Sequence, residues 1–487
     1  MTKRLPFSFC LRTLSGTVAA IAILLTAAGP AQAQFGGLLQ SLIQAPMQQA
    51  QQAAAKKAAE QQAQNQTPAK RWGQPVAVPA DLLATASAFA AKTPRSELRP
   101  LFERLFIEGE RNATLNFQRI GMAALFLGDV DVAEKAFDAA VTRIDLIYAD
   151  NPEAQKAKSL WTAEKIKDFK GEPYERAMAY FYRGLVYAAK GDFQNARAMF
   201  KQADYQDTVA EAEQYAGDFG LMPFMAGWAS QCDGNAELAK DFLQQAIKSD
   251  ASYSGLRVDQ PVLVLFESGR SPFKYSAGKS GEVLKWQTHD LPIQTAKTAC
   301  TAAVPNDCVV NSFVMGADLG FQATTRGGRP VDGVLNGKAS FKEGAQGVAM
   351  AAGLVGNIGM QTAMLTGNSD MAGLGLLGMF AGLVATGVAN ATQAQADIRE
   401  WEQLPGAVWL GTGAKKAISD RLDVSMETAG TRSAVIASRL VNTSSCQLYW
   451  GRSTSPLSLL GEAGPLETGV HLRDPAFRSE IATAFVP

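Results

Sequence analysis

The sequence predicts an α+β protein, with an N-terminal half of paired helices and a second half in which a Gly-rich helical hairpin packs on a small sheet. Three observations carry that prediction. Small and aromatic residues recur in one register: Gly121, Gly128, Ala133, Phe137, Ala140; Gly184, Gly191, Ala196, Phe200, Ala203; and Gly227, Gly234, Ala239, Leu243, Ala246. Short β-branched runs begin only after Tyr253. Two nearly uncharged, Gly-rich runs, Gly344 to Ser369 and Met371 to Ala396, interrupt those strand-like segments.

The first 33 residues read as an export signal. Lys3, Arg4 and Arg12 form a basic start, Val18 to Ala28 is a short apolar run, and Ala31-Gln32-Ala33 is a small-x-small cleavage site. Cleavage after Ala33 predicts a periplasmic mature chain. The nearest cysteine, Cys10, precedes the apolar run, so no lipid anchor is expected. Removing three basic residues from a balanced 46 and 46 leaves a net charge of −3. A mildly acidic chain without basic clusters lacks the electrostatic footprint of a nucleic-acid binder.

Residues 34–78 open on a Gln/Ala-rich tract, Gln48 to Ala55 being typical, and read as a tether with little apolar face to bury. Residues 79–252 carry helical periodicity throughout, for example Leu101, Leu105 and Phe106. Here the first glycine of each register lets two helices approach, the second closes a turn that needs positive φ, and Asp129 and Asp192 are the expected N-caps of the returning helices. Residues 253–487 form the α+β half, with the Gly-rich helices at 344–396. Strands are predicted at Val262 to Phe266, Val309 to Met315, Ala407 to Leu410, Ala434 to Leu440 and Gln447 to Trp450.

Four cysteines remain in the mature chain, and an even number in an oxidising compartment predicts disulfides. Cys300 with Cys308 is the preferred local pair, leaving Cys232 to meet Cys446 or to stay buried. No metal-ligand spacing is present, and no metal or cofactor is expected.

The register resembles that of the tetratricopeptide repeat family, whose best copy here is Ala179-Tyr180-Phe181-Tyr182-Arg183-Gly184-Leu185-Val186-Tyr187, continued by Gly191-Asp192-Phe193. A second resemblance rests on Lys170 to Arg176, on Leu265-Phe266-Glu267-Ser268-Gly269, and on Ala396-Asp397-Ile398-Arg399-Glu400-Trp401 before Leu404-Pro405. In that order these segments are similar to a poorly characterised family of exported bacterial envelope proteins, often lipid-anchored, with a helical-repeat half and an α+β half.

The repeat resemblance implies a concave groove lined by Leu115, Gln118, Met122, Met178, Phe181, Leu185, Leu221, Phe224 and Trp228. Met178, Phe181, Leu185, Phe224 and Trp228 are the partner-groove candidates. The lysine and asparagine of a carboxylate clamp are missing from these positions. The competing expectation is that the chain's own C-terminal half fills the groove, since an open apolar face of this size invites aggregation.

Sharper motifs weaken on inspection. Gly373-Leu374-Gly375-Leu376-Leu377-Gly378 matches a dinucleotide fingerprint but follows a turn rather than a strand. Gly278-Lys279-Ser280 has Phe273 where a phosphate loop needs glycine. Met371 to Ala391 could span a bilayer, yet its flanking charges oppose the positive-inside bias, so membrane association is disfavoured. His289 and His471 make no catalytic constellation, and no catalytic residue is assigned. The expected function is therefore a non-enzymatic periplasmic adaptor or scaffold of the cell envelope that engages a protein partner. The alternatives are a hydrolase using carboxylates of the α+β half, or a membrane-associated assembly factor acting through the Gly-rich hairpin.

Overall fold

A computed structural model describes residues 77–149, 168–169, 171–208, 218–277, 283–287, 289, 294–301, 307–324, 396–428, 430–466 and 474–485. The Gly-rich runs and their fingerprint, the signal, the tract from 34 to 76, Gly278 to Ser280 and His471 lie outside the described residues. All described residues belong to one compact unit.

The helical half comprises α1 (Ala80–Ala90), α2 (Arg99–Glu108), α3 (Ala113–Phe126), α4 (Val130–Ala149), α5 (Pro173–Ala189), α6 (Phe193–Thr208), α7 (Leu221–Cys232) and α8 (Ala236–Ser249). Three helical hairpins, α3 with α4, α5 with α6 and α7 with α8, follow from the small-residue register. A Cβ on Gly121 would stand 2.8 Å from the Phe137 ring, and one on Gly184 would stand 2.6 Å from Phe200. In the third hairpin Phe242, one position before Leu243, takes the place facing Gly227. The turns close at Gly128, Gly191 and Gly234 with φ between 77° and 84°. Asp129, Asp192 and Asn235 then accept the backbone N–H three residues on, at 3.1 to 3.2 Å.

The second half is built on β1 (Val262–Ser268), β4 (Thr295–Thr301), β5 (Cys308–Val310), β6 (Val314–Asp318), β7 (Ala407–Gly413), β8 (Arg421–Thr428), β9 (Thr431–Asn442) and β10 (Gln447–Arg452). A separate hairpin pairs β2 (Phe273–Ala277) with β3 (Val283–Gln287). Two further α-helices are α9 (Leu319–Thr324) and α10 (Asp474–Ala484).

The sheet is larger than expected, eight strands in the order β5-β4-β8-β9-β10-β1-β7-β6. Among the described strands only β1 with β10 is parallel. The predicted strand from Val309 to Met315 is broken at Asn311 to Phe313 into β5 and β6, which form the two edges. The sheet curls until Val309 and Val310 lie over Gly413 and Gly411 of β7.

Alternation along the strands gives the sheet two apolar faces. Leu263, Leu265, Val408, Leu410, Leu448 and Trp450 share a single buried cluster with the helices. Val262, Val264, Phe266, Leu422, Val424 and Tyr449 fill the inside of the curl. The chain thus changes secondary structure near residue 252 while its packing continues across that point.

Candidate functional site

Met178, Phe181, Leu185, Phe224 and Trp228 are all at most 1% exposed. These positions form no open groove in the structure, being buried. They belong to one buried cluster that also holds Leu263, Leu265, Val408, Leu410, Leu448 and Trp450 of β1, β7 and β10. Their ring contacts are internal: Phe181 with Phe200 at 5.9 Å, Phe224 with Tyr253 at 5.7 Å, and Trp228 edge-on to Phe193 at 5.9 Å. Leu115, Gln118, Met122 and Leu221 are buried as well.

What occupies the seam between the halves is an irregular strap, Ala396 to Pro405, which enters from the chain before β7 and is buried along nearly its whole length. Its Trp401 ring lies 5.6 Å from Tyr182 and 6.2 Å from Phe137. The strap has no helix or strand partners for its backbone, and side chains and a few carbonyls take that role. Glu175 Oε1 accepts the N–H of Trp401 at 2.8 Å, and Lys274 Nζ donates to the carbonyl of Arg399 at 3.0 Å.

Charged side chains surround this strap, and they meet from both halves. Glu175 is placed by a capping box at the start of α5, where its Oε2 accepts the N–H of Glu172 at 2.7 Å. The same oxygen takes Lys274 Nζ at 2.6 Å. Arg119 of α3 forks onto Glu402, Nε to Oε1 at 2.9 Å and Nη2 to Oε2 at 2.8 Å. Arg399 holds Asp397 through Nε at 2.8 Å and Nη2 at 2.7 Å, and donates Nη1 to Asn112 at 2.6 Å. Glu108 links Asn112 and Asn116 to this group and pairs with Arg104 at 2.7 Å. Arg104, Glu108, Asn112, Arg119 and Arg399 border a hollow of about 10 Å³, the space of a single water molecule.

A second cluster lies beside Trp401. Glu267, at the end of β1, accepts from Tyr182 at 2.9 Å and from the Trp450 indole at 3.0 Å, with Arg452 Nη1 3.0 Å from its other oxygen. Burial pushes the Glu267 carboxyl above its ordinary range, against the opposing pull of Arg452, Trp450 and Tyr182. Burial also disfavours the Lys274 cation, but Glu175 and Glu172 outweigh it and raise its pKa. Arg104 is lowered by burial and by the neighbouring charge of Arg119. The Tyr182 hydroxyl is driven well up, by burial and then by the Glu267 charge.

These clusters are made by the three segments that carry the second resemblance. Lys170 itself is outside the described residues. Glu172 and Glu175, Glu267, and Asp397 to Glu402 converge on one seam although they stand far apart in sequence. Residue types alone did not mark Lys274, Arg119 or Arg452 as their partners. The available signal was local, a charged residue inside an otherwise apolar stretch, as Glu267 is after Val262 to Phe266.

Cys232 at the end of α7 is bonded to Cys446 before β10, and Cys300 to Cys308 between β4 and β5. The first bond ties the helical half to the sheet. Among the described residues no group of three His, Cys, Asp or Glu could hold a metal ion, and no helix is long and apolar enough to cross a membrane. His289 lies 5.4 Å from the Phe273 ring. Neither a family model, nor a curated protein, nor a solved structure matches this chain.

Proposed function

We propose that this chain is an exported adaptor or scaffold of the bacterial cell envelope, built on tetratricopeptide-like hairpins and engaging a protein partner through their outer face. The observation that carries the reading is the division of labour within each hairpin. The first helices α3, α5 and α7 are buried almost end to end. The second helices bury one stripe only, in α8 Ala239, Phe242 and Ala246, and turn the opposite face to solvent. Tyr205, 56% exposed on α6, stands on that outer face. Repeat arrays present such continuous surfaces for recognition. The charges buried at the seam are spent on holding the two halves together, which suits a rigid platform.

The test is site-specific photocrosslinking in living bacteria, with the reactive residue placed at Tyr205, Lys201 or Gln244. A discrete adduct with one envelope protein is the expected result. No adduct from any of the three positions, at native abundance, overturns the reading. Release of the protein in the periplasmic fraction, with Gln34 as its first residue, is the matching expectation for export.

A further inference from the structure

Ile418, in the loop between β7 and β8, is 98% exposed, the most exposed large apolar side chain among the described residues. The residues on either side of it are held in place. Ala417 is buried in the cluster inside the curl, and Gln447 grips its backbone twice: Oε1 accepts the Ala417 N–H and Nε2 donates to the Ala417 carbonyl, both at 3.0 Å. The Ser419 carbonyl accepts the Tyr449 hydroxyl at 2.6 Å. With Ala417 drawn in and Ser419 tied down, the Ile418 side chain has only solvent to enter. Packing therefore gives no reason for an isoleucine at this position.

The surroundings of Ile418 are cationic. Lys415, Lys416 and Arg421 stand within three residues of it on either side. Lys415 and Arg421 are exposed, and their side chains make no ion pair among the described residues. Lys416 Nζ donates to the carbonyl of Thr443 at 3.1 Å and to that of Ser444, so it meets no acid. The nearby acids are already taken: Asp420 pairs with Arg439, and Asp233, next to the Cys232–Cys446 bond, pairs with Arg197 at 3.4 Å. Arg421 and Asp423 share the outer face of β8, where Ile436, the ladder partner of Asp423, is 50% exposed. Three cations against one part-buried acid thus surround two exposed isoleucines, in a chain whose acids and bases number 46 each.

An apolar tip with cations at its base has the layering of a membrane interface. The aliphatic side chain enters the acyl boundary while ammonium and guanidinium groups stay level with the headgroup phosphates. Anchors between proteins are instead enriched in Trp, Tyr and Arg. Fixing the loop beforehand spares the entropy of ordering it on docking. We propose that the β7–β8 loop docks the protein on an anionic phospholipid surface, with Ile418 as the inserting side chain and Lys415, Lys416 and Arg421 as its electrostatic contacts. So small an anchor gives reversible attachment that salt weakens.

The test is co-sedimentation of the full chain with vesicles of phosphatidylethanolamine and phosphatidylglycerol, mixed three to one, and with vesicles of phosphatidylcholine alone. Binding to the anionic vesicles is expected to exceed binding to the neutral ones at least tenfold, and to fall at least tenfold from low to high salt. Ile418→Ser should weaken it at least fivefold, and Lys415→Glu with Arg421→Glu at least tenfold. Ile418→Trp should strengthen it, since tryptophan is favoured at the interface. These side chains are exposed, so the thermal melt should not move. No binding to anionic vesicles, or binding that Ile418→Ser and the glutamate pair leave unaltered, overturns the proposal. If a variant shifts the melt, a photoreactive residue at position 418 decides on the anionic vesicles: adducts with phospholipid support the docking, and their absence overturns it. In living bacteria, adducts from that position with protein alone overturn the phospholipid in favour of a protein partner. The site does not rest on the adaptor reading. Vesicle binding without any crosslink from Tyr205, Lys201 or Gln244 removes the adaptor and keeps the site, and loss of vesicle binding leaves the outer-face reading untouched.

Discussion

Tyr182 of α5 donates its hydroxyl to Glu267 of β1 at 2.9 Å, joining the helical half to the sheet inside a cluster closed to water. The carboxylate there costs free energy to bury, and its pKa rises for that reason. A raised acid binds protons more readily folded than unfolded, so folding takes up a proton in the window above its unfolded value of about 4.5. Within that window Glu267 favours the fold less as pH rises. Glu267→Gln is expected to flatten the fall in stability from pH 4.5 upward, measured by urea unfolding across the range. Parallel profiles for the two chains would refute this.

The Arg119–Glu402 fork links α3 to the strap through two buried charges. Removing one partner leaves a buried charge alone, which costs about 3 to 5 kcal/mol. Arg119→Met is therefore expected to destabilise far more than the double variant with Glu402→Leu. Chemical denaturation of both variants checks the order.

Gly184 faces Phe200 too closely for any Cβ. Gly184→Ala should lower stability by about 1 to 3 kcal/mol through overpacking. Phe200→Leu, introduced into the Gly184→Ala chain, should recover part of that loss. A thermal melt showing no recovery would place the strain elsewhere.

The two disulfides close loops of different size, 214 against 8 residues of separation. Chain entropy then assigns about 5.4 kcal/mol to the long loop and about 2.5 kcal/mol to the short one. Replacing Cys232 and Cys446 by serine should lower the melting temperature more than replacing Cys300 and Cys308.

Much of the helical half was legible because its signals are local. A glycine at a turn and an Asp after it act within one hairpin, so Gly128 with Asp129 and Gly191 with Asp192 could be read directly. The sheet was legible where apolar and β-branched residues run together, as in Val262 to Phe266 and Ala434 to Leu440. Strand β8 was missed although Leu422, Val424 and Met426 alternate inward, because Arg421, Asp423 and Ser425 between them lower its apolar density. Hairpin β2–β3 was missed too, with Lys274 near its start, a buried cation whose partner Glu175 is supplied by another element. The groove positions were assigned to the correct helices, but which surface would cover them depends on the strap and on strands far along the chain. Periodicity within a helix carries no information on that.

Strand β1 has two neighbours in the sheet, β7 beginning at Ala407 and β10 beginning at Gln447. A chain emerging from its N-terminus therefore completes α1 to α8 long before the strands that share their buried cluster exist. During that interval the apolar inner face is bare, and the nascent protein is a client for any factor that shields such surfaces. Stops placed anywhere between the helices and β10 should yield aggregates rather than a soluble helical fragment. The synthesis of β10 thus sets the time at which that face is first sheltered.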